Sequence, residues 1–233
     1  MTWLMFELAR NPELQEQVHQ EIDDFFTALQ GRDPTYSDLS KLPLLDKCIT
    51  ETLRLWPAVA NGTFRQLQSA DSVTGRGGKR VKLDKGCNVN IVNWSRHRNP
   101  VLWGPDAECF NPYRDFTEAE MTHVGCPMAA MNPQSSRFSP FAHNPRSCLG
   151  KNFAQMEMRL ILPYCLQRFH FKLAAPYDSL YSHHVPTAAG DINCTDFRGV
   201  NRGGTMGPKN LEDDQEGTSI AMKLDVTLRN THN

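Results

Sequence analysis

One segment limits what this chain can be. Phe138-Ser139-Pro140-Phe141-Ala142-His143-Asn144-Pro145-Arg146-Ser147-Cys148-Leu149-Gly150 is aromatic and rich in turn formers, and it delivers a cysteine to the start of an apolar helix. A thiol at a helix N-terminus faces unpaired backbone N–H groups and the positive end of the helix dipole. Both favour the thiolate, which is the form of cysteine that binds metal. Arg146, two residues earlier, adds a fixed positive charge able to pair with an anionic ligand.

The segments before it read mostly as helix. Trp3, Leu4, Met5, Phe6 and Leu8 make the first stretch apolar nearly all round, which predicts a buried helix. No N-cap precedes it, so the chain is expected to begin inside an element. Asn11 and Pro12 then predict a restart, with Asn as N-cap and Pro at the first helical position. Leu14, Val18, Ile22 and Phe26 follow at four-residue steps, as an amphipathic helix requires. Gly31 to Tyr36 reads as a loop. Pro43 opens a helix to about Trp56 with a stripe of Leu45, Cys48, Ile49, Thr52 and Trp56. Glu51 and Arg54 are three apart on that helix. Taken alone they read as a solvated ion pair contributing roughly 0.2–0.5 kcal/mol.

Phe64 to Trp94 reads as β-structure. Val81 and Leu83 on one side, and Val89, Ile91 and Val92 on the other, flank Asp84-Lys85-Gly86 as an expected hairpin turn. Gly75 to Arg80 lacks the preceding strand and following Ser/Thr of a phosphate-cradling loop, and reads as a solvated turn. His97 is expected to be a structural hydrogen-bonder near a helix start. After Gly150 comes a helix with Phe153, Met156, Leu160 and Tyr164 on one face, and Pro163 inside it predicts a bend or an early end. Phe169, Phe171 and Leu173 alternate as a strand. From Ala174 to about Gly217 no periodicity is sustained, and Glu212-Asp213-Asp214 reads as a solvated acidic turn. Ile220, Met222, Leu224, Val226 and Leu228 alternate as a final strand.

Composition removes several classes. The 233 residues are 39% hydrophobic and 22% charged, an ordinary globular balance. A net charge of -1 gives no electrostatic case for nucleic acid. Seven cysteines at irregular spacing fit reduced thiols rather than a disulfide scaffold. Cys109, His123 and Cys126 match no closed zinc set. No apolar run is long enough to span a membrane, and Glu7 and Arg10 interrupt the first apolar stretch too early for a secretory signal.

Phe141, Arg146, Cys148 and Gly150 together resemble the haem-binding loop of cytochrome P450, F-x-x-G-x-R-x-C-x-G. Asn144 stands where that pattern has glycine; the position favours a left-handed backbone, which Asn tolerates best after Gly. Glu51-Thr52-Leu53-Arg54 is similar to the family's E-x-x-R helix, and Leu55-Trp56-Pro57 continues the match. Phe110-Asn111-Pro112-Tyr113-Arg114-Asp115-Phe116 resembles the segment whose arginine, here Arg114, locks that pair in a buried network. Thr117 to Arg137 resembles the family's irregular meander.

The resemblance implies a mainly α fold with small antiparallel β-sheets, the C-terminal portion of the cytochrome P450 fold. Residues 1–233 are then a single partial domain: helices and E-x-x-R over 1–60, the β hairpin region over 61–95, meander and haem loop over 96–150, and the last helix and strands over 151–233. It further implies haem b, with Cys148 as the axial ligand of the iron and Arg146 on a propionate. Arg65 is either a second propionate partner or a surface arginine. Backbone N–H groups of Leu149 and Gly150 would tune the sulfur.

The expected activity is haem-thiolate monooxygenation of a lipophilic small molecule, with electrons from a reductase. The family's oxygen-activating acid–alcohol pair and most of its substrate pocket fall outside the match, so no further catalytic residue is assigned. The other reading is a non-catalytic remnant, or a fragment that binds haem or a partner. An intact parent is expected at the endoplasmic reticulum membrane. This chain has no expected anchor, which implies the cytoplasm.

Overall fold

The computed structural model describes residues 1–117, 119–121, 135–142, 146–175, 182–187, 190–195, 200–201, 207–208 and 224–229. Four helices build its centre. α1 (Thr2–Arg10) buries Trp3, Leu4, Phe6, Leu8 and Ala9, and also Glu7 and Arg10. α2 (Pro12–Leu29) follows directly. Asn11 does not cap it with its side chain; its Nδ2 instead donates back to the Glu7 carbonyl at 2.7 Å, closing the end of α1. α3 (Pro43–Leu55) buries the whole expected stripe, from Leu45 to Trp56. α6 (Lys151–Arg168) packs across α2 and α3 and carries Leu162 and Leu166 into the same core.

The core is aromatic at one end. Trp3 stacks on Trp56 with ring centroids 3.8 Å apart, and Phe6 meets both rings edge-on. The Trp56 indole N–H donates to the buried Glu7 carboxylate at 2.8 Å, and Arg10 lies 3.4 Å from the same carboxylate, so the expected apolar helix buries two charged residues that pair with each other.

Between α3 and α6 lie two small antiparallel sheets and two short helices. β1 (Thr63–Gln66) pairs with β4 (Asn88–Ile91), and β2 (Asp71–Thr74) pairs with β3 (Arg80–Leu83). The expected hairpin around Asp84-Lys85-Gly86 is therefore corrected: β3 and β4 belong to different sheets, and those three residues connect them. The hairpin turn is Gly75 to Lys79, where Gly77 and Gly78 take left-handed φ of 76° and 77°. Two-residue alternation shows that strands exist but not which partner each takes. α4 (Asn93–His97) and α5 (Pro100–Trp103) follow.

α6 runs through Pro163 to Arg168 and does not end there. Its buried face is Gln155, Arg159, Leu162, Pro163 and Leu166, while Phe153 is 63% and Leu160 41% exposed. β5 (Phe169–Leu173) pairs with β10 (Leu224–Leu228), which contains the described part of the expected final strand; Ile220 and Met222 lie outside the described residues. Arg229 ties that sheet to α2 through Asp23 at 2.7 and 3.0 Å. The stretch expected to lack structure contains β6 (Ser182–Thr187) and β7 (Gly190–Thr195), an antiparallel pair, and the short pair β8 (Val200–Asn201) and β9 (Gly207–Pro208). Glu212, Asp213 and Asp214 lie outside the described residues.

Among the described residues, no helix is long and apolar enough to cross a membrane. The fold is mainly α with small antiparallel sheets.

Candidate functional site

α3 presents Glu51 and Arg54 inward, both fully buried. Arg54 Nε and Nη2 donate to the two Glu51 oxygens at 2.6 and 2.7 Å. Its remaining N–H groups reach the carbonyls of His97 at 2.7 Å, Ala107 at 2.6 Å and Cys109 at 3.1 Å. A guanidinium has five N–H groups, and here every one is used. Glu51 also accepts the Asn111 amide at 2.9 Å. Arg114 sits 3.4 Å from Glu51 but binds Asp106 more closely, at 3.0 Å through both Nη atoms. Burial alone would raise the Asp106 carboxyl; the Arg114 hydrogen bonds and charge outweigh it and hold it below its ordinary value. The solvated-pair reading of Glu51 and Arg54 does not describe this geometry. α3 is bonded at a buried site to the segment from His97 to Arg114.

That segment carries a second, smaller cluster of Trp103, Ala107 and Phe138. Phe138 opens the thiol loop. It is fully buried, edge-on to Trp103 at 6.0 Å and tilted against His97 at 5.1 Å. The next residue, Ser139, is also buried. Its amide donates to His97 Nε2 at 3.2 Å, and its hydroxyl meets the Arg96 guanidinium. The loop then turns outward. Ala142 N–H donates to the Ser139 carbonyl at 3.1 Å, with Ala142 in a left-handed conformation at φ 60°. Cys148 N–H donates to the Phe141 carbonyl at 2.8 Å, which folds the loop back on itself. Gly150 caps α6 and accepts the Ala154 amide at 2.9 Å.

The Cys148 thiol is free and exposed, as are Arg146, Leu149 and Gly150, while Phe141 is half-buried. Arg65 is exposed on β1, its guanidinium on the Phe64 carbonyl at 2.8 Å. His143, Asn144 and Pro145 lie outside the described residues, as do His123, Cys126 and most of the meander. Cys109 is disulfide-bonded, which corrects the expectation of reduced thiols throughout. Irregular spacing cannot exclude one bridge between segments that folding brings together.

Sequence reasoning missed Ser139, Arg96 and Asp106 as the residues that seat the loop and the arginine. Their signal was weak, because no periodicity marks residues that act through individual hydrogen bonds to other segments. His97, expected as a structural hydrogen-bonder, is in fact shared between the arginine network and the loop.

The arrangement is a mainly helical fold that offers one accessible thiol at a helix start, braced by a buried arginine network. A cytochrome P450 family model matches residues 1–183, and the chain belongs to the cytochrome P450 family. It is 35% identical to human cytochrome P450 4F8 over 174 residues, 72% of this chain and 29% of that protein. Cytochrome P450 4c21 of Blattella germanica is 33% identical, covering 74% of this chain and 31% of that protein. Mouse leukotriene-B4 omega-hydroxylase 3 is 35% identical, with 72% and 29% covered. The chain thus spans less than a third of the length of these relatives. In solved structures it resembles a cytochrome P450 (CYP102L1), with TM-score 0.67 and 26% identity over 98% of this chain and 41% of that one. A zebrafish cytochrome P450 solved with abiraterone gives TM-score 0.65 and 25% identity, with 98% and 42% covered.

Proteins of this family bind haem b, and the donor set here suits it. Among the described residues no group of three or more His, Cys, Asp or Glu side chains could hold a metal ion. The exposed Cys148 thiol beside a helix start is the kind of ligand that haem iron takes in this family.

Proposed function

We propose that residues 1–233 are the thiolate-bearing part of a haem-thiolate monooxygenase. The observation that carries this reading is the free, exposed thiol of Cys148, whose backbone N–H donates to the Phe141 carbonyl just before α6. Cys148 would be the axial ligand, with Phe141 and Gly150 shaping the loop around it. Arg146 and Arg65, both exposed, would pair with the propionates. Glu51, Arg54 and Arg114 would act structurally, fixing the segment against which the loop is seated. Haem b, when bound, supplies the redox chemistry by which one atom of dioxygen enters a C–H bond. The chain's own share is to present the sulfur beside a helix start and nearby backbone N–H groups, and to hold it in one position. The substrate would be a lipophilic small molecule, in keeping with a relative named for leukotriene B4, and the electrons would come from a reductase. An intact parent would work at the endoplasmic reticulum membrane.

Anaerobic reconstitution with haem, followed by reduction under carbon monoxide, tests the assignment. The wild-type chain is expected to give the thiolate-type absorption band and Cys148→Ser to lose it. An unchanged band in Cys148→Ser would refute the ligand.

A second reading is favoured by one observation. Leu149, Phe153, Leu160 and Ile161 are exposed on and before α6, and uncovered apolar surface of this kind limits an isolated protein. On this reading the chain folds and binds haem or a partner without turnover. Thiolate-type haem binding with no product from a lipophilic substrate and a reductase supports it; turnover excludes it.

A further inference from the structure

We infer that His97 is the positioning residue that seats the thiol loop on the arginine network. His97 ends α4 and is fully buried. It bonds in two directions at once. Its main-chain carbonyl accepts Arg54 Nη1 at 2.7 Å, and its ring Nε2 accepts the Ser139 amide at 3.2 Å. From Ser139 the contacts continue without a gap: the Ser139 carbonyl takes the Ala142 amide, and the Phe141 carbonyl takes the Cys148 amide. A continuous run of hydrogen bonds and short backbone steps therefore leads from the buried guanidinium to the thiol residue.

The chemistry of the ring makes the role specific. To accept a backbone N–H, Nε2 must keep its lone pair, so the ring has to be neutral with its hydrogen on Nδ1. Burial, reinforced by the charges of Arg96 and Arg54, lowers the His97 pKa to about 3, which keeps the ring an acceptor at every working pH. The ring also packs on Phe138 at 5.1 Å, so a plain core role would need only its shape. The two roles separate by substitution. His97→Phe keeps a ring against Phe138 but has no acceptor. His97→Gln can place an amide oxygen near the Nε2 position.

The inference rests on the haem-thiolate reading, but its primary readout needs no haem. Amide hydrogen exchange is measured at Ser139 in the isotopically labelled wild-type chain and in both variants. Loss of one buried acceptor exposes a donor at about 1–3 kcal/mol, so exchange at Ser139 should rise roughly 5- to 150-fold in His97→Phe. It should stay near wild type in His97→Gln. Equal exchange in wild type and His97→Phe overturns the inference, as does a failure of His97→Gln to rescue. Should His97→Phe not fold, an unprotected Ser139 amide in the wild-type chain overturns it as well. In haem-loaded protein, His97→Phe should convert part of the thiolate-type band to the neutral-ligand form at equal haem content, and His97→Gln should restore it. If the wild-type chain takes up no haem, the haem reading fails while the exchange result still decides the role of His97.

Discussion

Replacing Glu51 by alanine should be among the most damaging single changes in the chain. The carboxylate accepts two Arg54 bonds at 2.6 and 2.7 Å, the Asn111 amide at 2.9 Å and a longer Arg114 contact at 3.4 Å. Alanine leaves the fully buried Arg54 with two N–H groups unpaired and its charge uncompensated, while its three carbonyl partners remain. Breaking a buried pair in this way costs about 3–5 kcal/mol. Whole-protein stabilities are typically about 5–15 kcal/mol, so the loss is a large share of the total. Urea denaturation measures it: with a slope of about 1–3 kcal/mol per molar, the midpoint should fall by at least about 1 M. If the cost comes from an orphaned charge, removing the charge should recover much of it. Glu51→Leu with Arg54→Met should therefore be markedly more stable than Glu51→Ala alone. A midpoint shift below about 0.3 M in Glu51→Ala would refute the argument, as would a double variant no better than the single.

Two buried groups titrate in the same pH window with opposite sign. Burial raises the Asp46 carboxyl from its ordinary 3.8 to about 6, against the pull of Arg159 at 2.5 Å, so the folded state holds that proton more tightly than the unfolded chain. Asp46 therefore contributes most at low pH and loses stability as pH rises through about 6; urea midpoints of wild type minus Asp46→Asn should fall from pH 4 to 6.5, and parallel curves would contradict this. Burial, aided by Arg229, lowers His19 from 6.5 to about 4, so its contribution is lost as pH falls from about 6.5 toward 4; wild type minus His19→Gln should rise over the same range. Gly62→Ala should destabilise by at least about 1–3 kcal/mol, because Gly62 has φ +70° and an added Cβ would lie 1.8 Å from the Ile91 carbonyl oxygen; an unchanged thermal midpoint would argue against that geometry. Trp56→Phe keeps most of the ring stack on Trp3 but deprives the buried Glu7 of its indole donor, and should cost about 1–3 kcal/mol by the same urea assay.

The helices were legible because a 3.6-residue period appears in one segment at a time. Leu45, Cys48, Ile49, Thr52 and Trp56 point one way in the sequence and are buried together. The strand pairings were not. Alternation in β3 and β4 is real, yet each pairs with a strand further back, since register is decided by the partner and not by the strand itself. The thiol loop was legible as spacing, Phe141 to Gly150, because that spacing resembles the family's haem-binding loop. Its seating on His97 and Ser139 was not legible, since two residues 42 positions apart give no periodic signal.

α6 shows how far a sequence pattern reaches. Phe153, Met156, Leu160 and Tyr164 share a face by spacing, and such a stripe usually marks the inside of a helix. Here Phe153 and Leu160 are exposed, and the opposite face, with Gln155 and Arg159, is buried. The polar residues go inside because partners are there: Asp46 on α3 pairs with Arg159. A helical period says which residues lie together; what packs against them decides which face is the core. α6 begins at Lys151, three residues after Cys148, and its inner face is tied to α3 through Arg159 and Asp46. Asp46 on α3 grips α6 beyond the cysteine, while Glu51 and Arg54, also on α3, grip the segment that seats the loop before it. The thiol is thus held from both sides by one helix. Loss of either grip should disturb the sulfur's position more than loss of any apolar contact of similar size.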